Sequence, residues 1–321
     1  MKLAITIDTE EDAWSGHDPT RWRVENIRQV PTLQRLFARF GAIPTYLITY
    51  PVATDEKSIA TLREIEQTGR CEIGAHCHPW NTPPLSASEA GESTMLFRLP
   101  ANLQFRKIET LHQTITKNFG IPPTSFRSGR WGSGPDVARA LAKLQYRVDT
   151  SVLSFIDWTS SGGQDYSVLP PTPYYFQPET IFRANPQGSL LQIPATVGFL
   201  QDDQRRSAEW DRRLRMAPWR RLRMTGLLDR LGWLNKVWLS PEKSTGDEMI
   251  ALTRALLRTP LPVLNLFFHS GSLLPGCTPF VKTDTDRADF LKRIETFLVF
   301  AKGAGIESIR LSGAVDLVPR C

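Results

Sequence analysis

No apolar run in the 321 residues is long enough to cross a membrane as a helix. The longest, around Val263–Phe268, is strand-sized. The opening MKLAITID carries one Lys and a short apolar run that Asp8 interrupts, too brief for a signal peptide, so a soluble chain is expected. Cysteine is scarce. Cys71, Cys77, Cys277 and Cys321 have no framework spacing, which argues against a disulfide scaffold and fits reduced thiols in a cytoplasmic protein. Internal repeats, low-complexity tracts and Pro- or Gly-rich linkers are also missing, so one domain spanning 1–321 is expected. The net charge of +6 suggests nucleic acid at first sight, yet eleven Lys or Arg against four Asp or Glu fall between Arg205 and Lys243. The rest of the chain is close to neutral, and no nucleic-acid-binding module is recognisable.

What is present is a full apolar complement, 41% of residues with nine Trp, arranged as strand-like runs alternating with helical patterns. Strands are expected at 2–8, 44–50, 71–76, 124–128, 146–152, 189–195, 262–269 and 307–312. Helices are expected near 27–40, 56–67, 103–118, 135–144, 247–258 and 286–302, several closed by Gly. Repeated β-α units predict parallel strands with helices outside. Seven or eight of them predict a distorted (β/α) barrel, with an irregular insertion at about 155–245 that is helical near 200–245.

Active sites of such barrels form where strands end at their carboxyl side. Those ends carry Asp8 and Glu10, His76 and His78, Arg127 with Arg130 beyond, Asp149, and His269. Three of the five His in the chain are among them. Residues i and i+2 of a strand share a face. Asp8 and Glu10 therefore point together, as do His76 and His78, with Cys77 turned away and Glu11 and Asp12 leading into a loop. Two imidazoles and a carboxylate form a familiar Zn²⁺ set with a fourth position for water, and a second carboxylate could take that water's proton. Each residue alone has a plainer explanation: a turn Asp, a core-edge His, a surface Arg pair. Their coincidence at one barrel end favours chemistry.

Together these segments resemble the polysaccharide deacetylase family of metal-dependent carbohydrate esterases, in a divergent branch. "TIDTE" is similar to the family's opening strand end, which implies Asp8 as general base and Glu10 as metal ligand. "EIGAHCHPW" resembles the segment supplying two metal His, hence His76 and His78. "FRSGRWG" resembles the motif whose first Arg braces the catalytic Asp, hence Arg127, and "NLFFHS" the motif whose His protonates the leaving group, hence His269. The family's common form has adjacent Asp residues and a His pair four apart; here Thr9 intervenes and the pair is two apart.

The resemblance implies removal of N-acetyl groups from a sugar or polysaccharide with a divalent metal, Zn²⁺ first and Co²⁺, Ni²⁺ or Fe²⁺ as alternatives. Trp80, Arg130, Trp131 and Asp149 are the expected substrate contacts, the two Trp as stacking surfaces for a sugar ring. Three alternatives stay open: hydrolysis of a small non-sugar amide or an O-acetyl ester, Fe(II) oxygen chemistry on the same ligands, and a non-catalytic glycan-binding relic. Residues 217–238 place Trp219, Leu222, Leu227, Leu231, Leu234 and Trp238 at roughly helical spacing among Arg and Lys. That pattern fits a helical cap on the barrel, contact with an anionic membrane surface, or an acidic glycan.

Overall fold

The computed structural model describes residues 1–14, 22–85, 94–215, 226, 228 and 230–320. Half of 217–238 therefore lies outside the described residues, and with it Trp219, Leu222 and Leu227 of the expected apolar stripe. Strand β1 (Lys2–Thr9) lies between β10 (Val263–His269) on one side and β2 (Pro44–Ile48) on the other. From β2 the sheet continues through β3 (Glu72–Cys77), β4 (Ser125–Ser128), β5 (Val148–Asp149) and β7 (Leu190–Gln192), all parallel. Strand β11 (Ser308–Ile309) adds a short parallel pairing to β1, and β6 (Tyr174–Phe176) lies antiparallel on β7.

The sheet curls, and its two ends meet through single hydrogen bonds rather than a ladder. The Thr196 amide donates to the Asn265 carbonyl at 3.1 Å, and the Phe267 amide to the Leu239 carbonyl at 3.1 Å. The expected distorted (β/α) barrel is what forms. A two-stranded antiparallel pair, β8 (Val197–Phe199) with β9 (Lys236–Trp238), follows the closure.

Alternation along β1 separates core from chemistry. Ile5 and Ile7 face the helices and join the main apolar core. Thr6 and Asp8 point inward, where Thr6 Oγ1 donates to Asn265 Oδ1 at 2.8 Å and Asn265 Nδ2 donates to Thr150 Oγ1 at 2.9 Å. The barrel interior thus holds a hydrogen-bonded polar column, tolerable there because its members satisfy one another.

The outer helices are α1 (Val30–Phe40), the short α2 (Tyr50–Thr54), α3 (Glu56–Gln67), α4 (Ala101–Phe119), α5 (Pro135–Lys143), α6 (Gln204–Arg215), α7 (Gly246–Leu256) and α8 (Asp284–Gly303). Gly41 and Gly120 end α1 and α4 with φ of 69° and 78°, a left-handed conformation that side chains disfavour. Thr245 and Thr283 form capping boxes that start α7 and α8.

The expected strand at 146–152 is only two residues long in the ladder. Asp149 ends it by accepting hydrogen bonds from the Ser151 amide at 3.0 Å and the Ser151 hydroxyl at 2.5 Å, which turns the chain. Cys71 and Cys77 are buried free thiols, and burial pushes the Cys77 thiol up to about 12, which leaves it inert. Among the described residues no helix is long and apolar enough to cross a membrane.

Candidate metal centre and active site

Strand register assembles the site. Asp8 on β1 pairs with His269 on β10, and His76 on β3 pairs with Arg127 on β4. Just past the end of β1, Glu10 turns its carboxylate toward the His pair: Oε2 lies 3.5 Å from His76 Nε2 and 3.3 Å from His78 Nε2. The two Nε2 atoms are 2.9 Å apart. Ligands about 2.0–2.1 Å from a tetrahedral zinc lie roughly 3.3–3.4 Å from one another, so these three atoms are spaced to share one ion.

The ring nitrogens facing away from that point are fixed. His76 Nδ1 donates to the Arg127 carbonyl at 3.0 Å; a carbonyl only accepts, so in the neutral ring Nε2 carries the lone pair. His78 Nδ1 meets Glu11 Oε1 at 2.8 Å. Glu11 does not lead into a loop as expected. Its buried carboxylate also accepts from Trp80 Nε1 at 3.1 Å and Asn81 Nδ2 at 2.8 Å.

Burial by itself would lower the His78 pKa, but Glu11 and Glu10 raise it to about 10. The His78 Nε2 faces both the Glu10 carboxylate and the His76 ring nitrogen. Glu10 is held far below the usual carboxylate range: burial opposes this, but His269, His76 and His78 outweigh it. The carboxylates of Glu10, Glu11, Asp8 and Glu242 gather at this strand end, where Arg127 pairs with Asp8. The spacing of the three donors Glu10, His76 and His78 suits a divalent ion.

Gly129 keeps the His78 ring in place. A Cβ there would lie 2.5 Å from His78 Cδ2 and 2.9 Å from the Cys77 carbonyl. Gly129→Ala is expected to displace the ring and lower metal affinity by roughly 10–100-fold, the scale for disturbing a ligand's support. Competition with a chromophoric chelator measures it, and unchanged affinity would remove Gly129 from this role.

Beside the donor set stand two further pairs. Arg127, fully buried, donates from Nη1 to Asp8 Oδ1 at 2.6 Å and from Nη2 to Thr6 Oγ1 at 2.7 Å, with its guanidinium 4.7 Å from the centre of the Trp131 ring. Burial would raise the Asp8 pKa, but Arg127, then His76 and His269, hold it below the usual carboxylate range. Asp8 Oδ2 lies 3.6 Å from His269 Nε2. The other His269 nitrogen, Nδ1, meets Glu242 Oε2 at 2.9 Å, and Trp14 packs edge-on against the ring at 4.8 Å. Burial opposes protonation of His269, yet Glu242, Glu10 and Asp8 raise it to about 10.

A cavity of about 650 Å³ opens over these groups. Trp80, Arg130 and Trp131 are among the residues that line it. Trp80, however, has one face stacked on His78 at 4.1 Å. Arg130 and Trp131 hold φ of 52° and 59°, a strained conformation of the kind that clusters at functional sites. Asp149 is the correction. It is 1% exposed, is not among the residues lining the cavity, and accepts hydrogen bonds from Ser151 and Ser133.

Sequence reasoning missed Glu11, Glu242 and Trp14. A carboxylate in the Ser240–Pro241–Glu242 turn carries no periodic signal, and only its place opposite His269 in the fold reveals it.

No protein-family model and no curated protein matches the sequence. Solved structures do match in shape. A candidate polysaccharide deacetylase from Mycobacterium smegmatis superposes with a TM-score of 0.56 at 15% identity, over 100% of this chain and 93% of its own. A candidate glycoside hydrolase/deacetylase from Parabacteroides distasonis gives 0.65 at 14% identity, over 98% and 70%. A 4-alpha-glucanotransferase from Thermococcus litoralis gives 0.53 at 12%, over 99% and 41%. Deacetylase and glucanotransferase descriptions on one architecture mean that function must be argued from the site. At these identities the likeness is one of architecture: the chain shares the fold of the structures described as polysaccharide deacetylases.

Proposed function

We propose that the protein is a metal-dependent hydrolase that removes N-acetyl groups from an amino sugar or polysaccharide. One observation carries the reading: a three-donor set, Glu10, His76 and His78, stands beside a braced carboxylate and a braced imidazole on the adjacent strand. A divalent cation held by that set, Zn²⁺ first, supplies Lewis-acid polarisation of a carbonyl and a more acidic water.

The chain's own residues do the rest. Asp8, kept ionised by Arg127, takes a proton from the attacking water. His269, kept protonated by Glu242, gives its proton to the departing nitrogen as the C–N bond breaks, because an amide nitrogen leaves poorly as an anion. Acetate and a free amine result. Trp131 and Trp80 bound the cavity where a sugar ring would lie. A glycan-binding relic would have no use for the Asp8–Arg127 and His269–Glu242 pairs, and oxygen chemistry on the same ligands no use for a second braced carboxylate. Acetate release from N-acetylated sugars, abolished by a chelator and restored by Zn²⁺, tests the reading; no release from any of them would refute it.

Glu242 sets the alkaline side of the pH profile. A raised pKa means that His269 is charged at low pH and loses its proton as pH climbs through that value. Glu242→Gln removes the largest raising influence, so the alkaline limb of kcat/KM is expected to move to lower pH while the acid limb stays. An alkaline limb in the same place would show that another group carries it.

A further inference from the structure

The remaining lining of the active-site cavity is largely aromatic, with four basic side chains set among the rings. Beside the carboxylate-rich strand end it carries Arg130, Arg215, Lys236 and Lys243. Among the described residues one carboxylate, Asp211, answers these cations: its Oδ2 accepts from Arg215 Nε at 2.9 Å and from Lys236 Nζ. Arg130 bonds neutral oxygens, the Thr94 hydroxyl and, at 3.4 Å, the Ser161 carbonyl. The Lys243 ammonium rests against aromatic faces, 4.5 Å from the centre of Phe280 and 5.8 Å from that of Trp238. That contact fixes the charge at the cavity wall without neutralising it.

Resting on the deacetylase reading, we propose that the substrate is an anionic sugar, with a phosphate or carboxylate on the acylated residue itself or on its neighbour, held by Lys243 and Arg130. The placement follows from the chain. Glu242 grips His269 Nδ1 at 2.9 Å, while the next residue, Lys243, lines the same cavity. The Lys243 ammonium rests on Phe280, Phe280 packs on Trp14 at 5.2 Å and Trp14 on His269 at 4.8 Å, so the ammonium and His269 border the same part of the cavity. A neutral glycan in this cavity offers no counter-charge to half-buried Arg130 or exposed Lys243. An anionic substrate compensates both, and Arg130 adds the planar fork that matches phosphate or carboxylate oxygens.

The test uses the zinc-loaded full chain with N-acetylglucosamine, its 1-phosphate and N-acetylmuramic acid, which separate neutral, phosphate and carboxylate forms. A charged member is expected to be hydrolysed with at least about tenfold higher kcat/KM, the worth of a charge-assisted hydrogen bond, and the advantage to shrink with added KCl. Lys243→Met should cut the charged-to-neutral ratio by roughly tenfold, and Lys243→Arg should restore it. Equal kcat/KM for all three, or a ratio untouched by Lys243→Met, overturns the proposal. Should none of these single sugars be hydrolysed, the deacetylase reading is judged on acetylated polysaccharides, and tryptophan-fluorescence titration still decides the wall. Tighter binding of a charged member, weakened in Lys243→Met, sustains it; no difference overturns it.

Discussion

Asp8→Asn is expected to keep the metal and lose turnover, with kcat down by roughly 10²–10⁴-fold, the scale of a missing general base. Asn preserves the shape and an oxygen acceptor for Arg127, which also keeps its bonds to Thr6 and Thr150. The fold and the donor set should therefore survive. What disappears is the ionised oxygen, Oδ2, that stands 4.0 Å from His76 Nε2 and 3.6 Å from His269 Nε2. The pH dependence has a definite sign: Asp8 is depressed below the usual range, so activity that needs its anion is lost only as pH falls through that lowered value. Steady-state acetate release with metal content measured on the same sample checks both halves. Normal turnover would remove Asp8 as the base.

His78→Ala is expected to fail in the other way, losing metal and turnover together. In the proposed set His78 is a donor rather than a support, so affinity should fall by more than the roughly 10–100-fold typical of an outer partner. The vacated position leaves Glu11 with Trp80 and Asn81 as donors, which should hold the local chain in place. Circular dichroism would confirm the fold while equilibrium dialysis reads the metal. A variant that still binds one ion tightly would break the proposed donor set.

The contrast between these variants reflects what could be read in the primary structure. Buried parallel strands give near-continuous apolar runs, so "AITID" and "VLNLFFH" declare themselves, and period-two alternation places Thr6 with Asp8. His76 and His78 obey the same rule around Cys77. The rule stops where the strand stops: β1 ends at Thr9, so Glu11 is free to fold back onto His78, which alternation cannot anticipate. Asp149 failed for a related reason, because its side chain bends onto Ser151 and ends the strand that was expected to present it. Glu242 is 27 residues from His269 in sequence, in a turn with no period of its own. Partners brought together only by tertiary closure leave no local trace.

The most direct test is elemental analysis of the purified wild-type chain combined with calorimetric titration of the chelator-stripped protein with Zn²⁺ at neutral pH. The expected result is one ion per chain with release of a proton, since His78, raised to about 10 in the metal-free site, must give one up to become a ligand. Failure to bind any divalent ion, or binding that is equally tight when Glu10, His76 and His78 are all replaced by Ala, would contradict the assignment of this strand end as the metal centre.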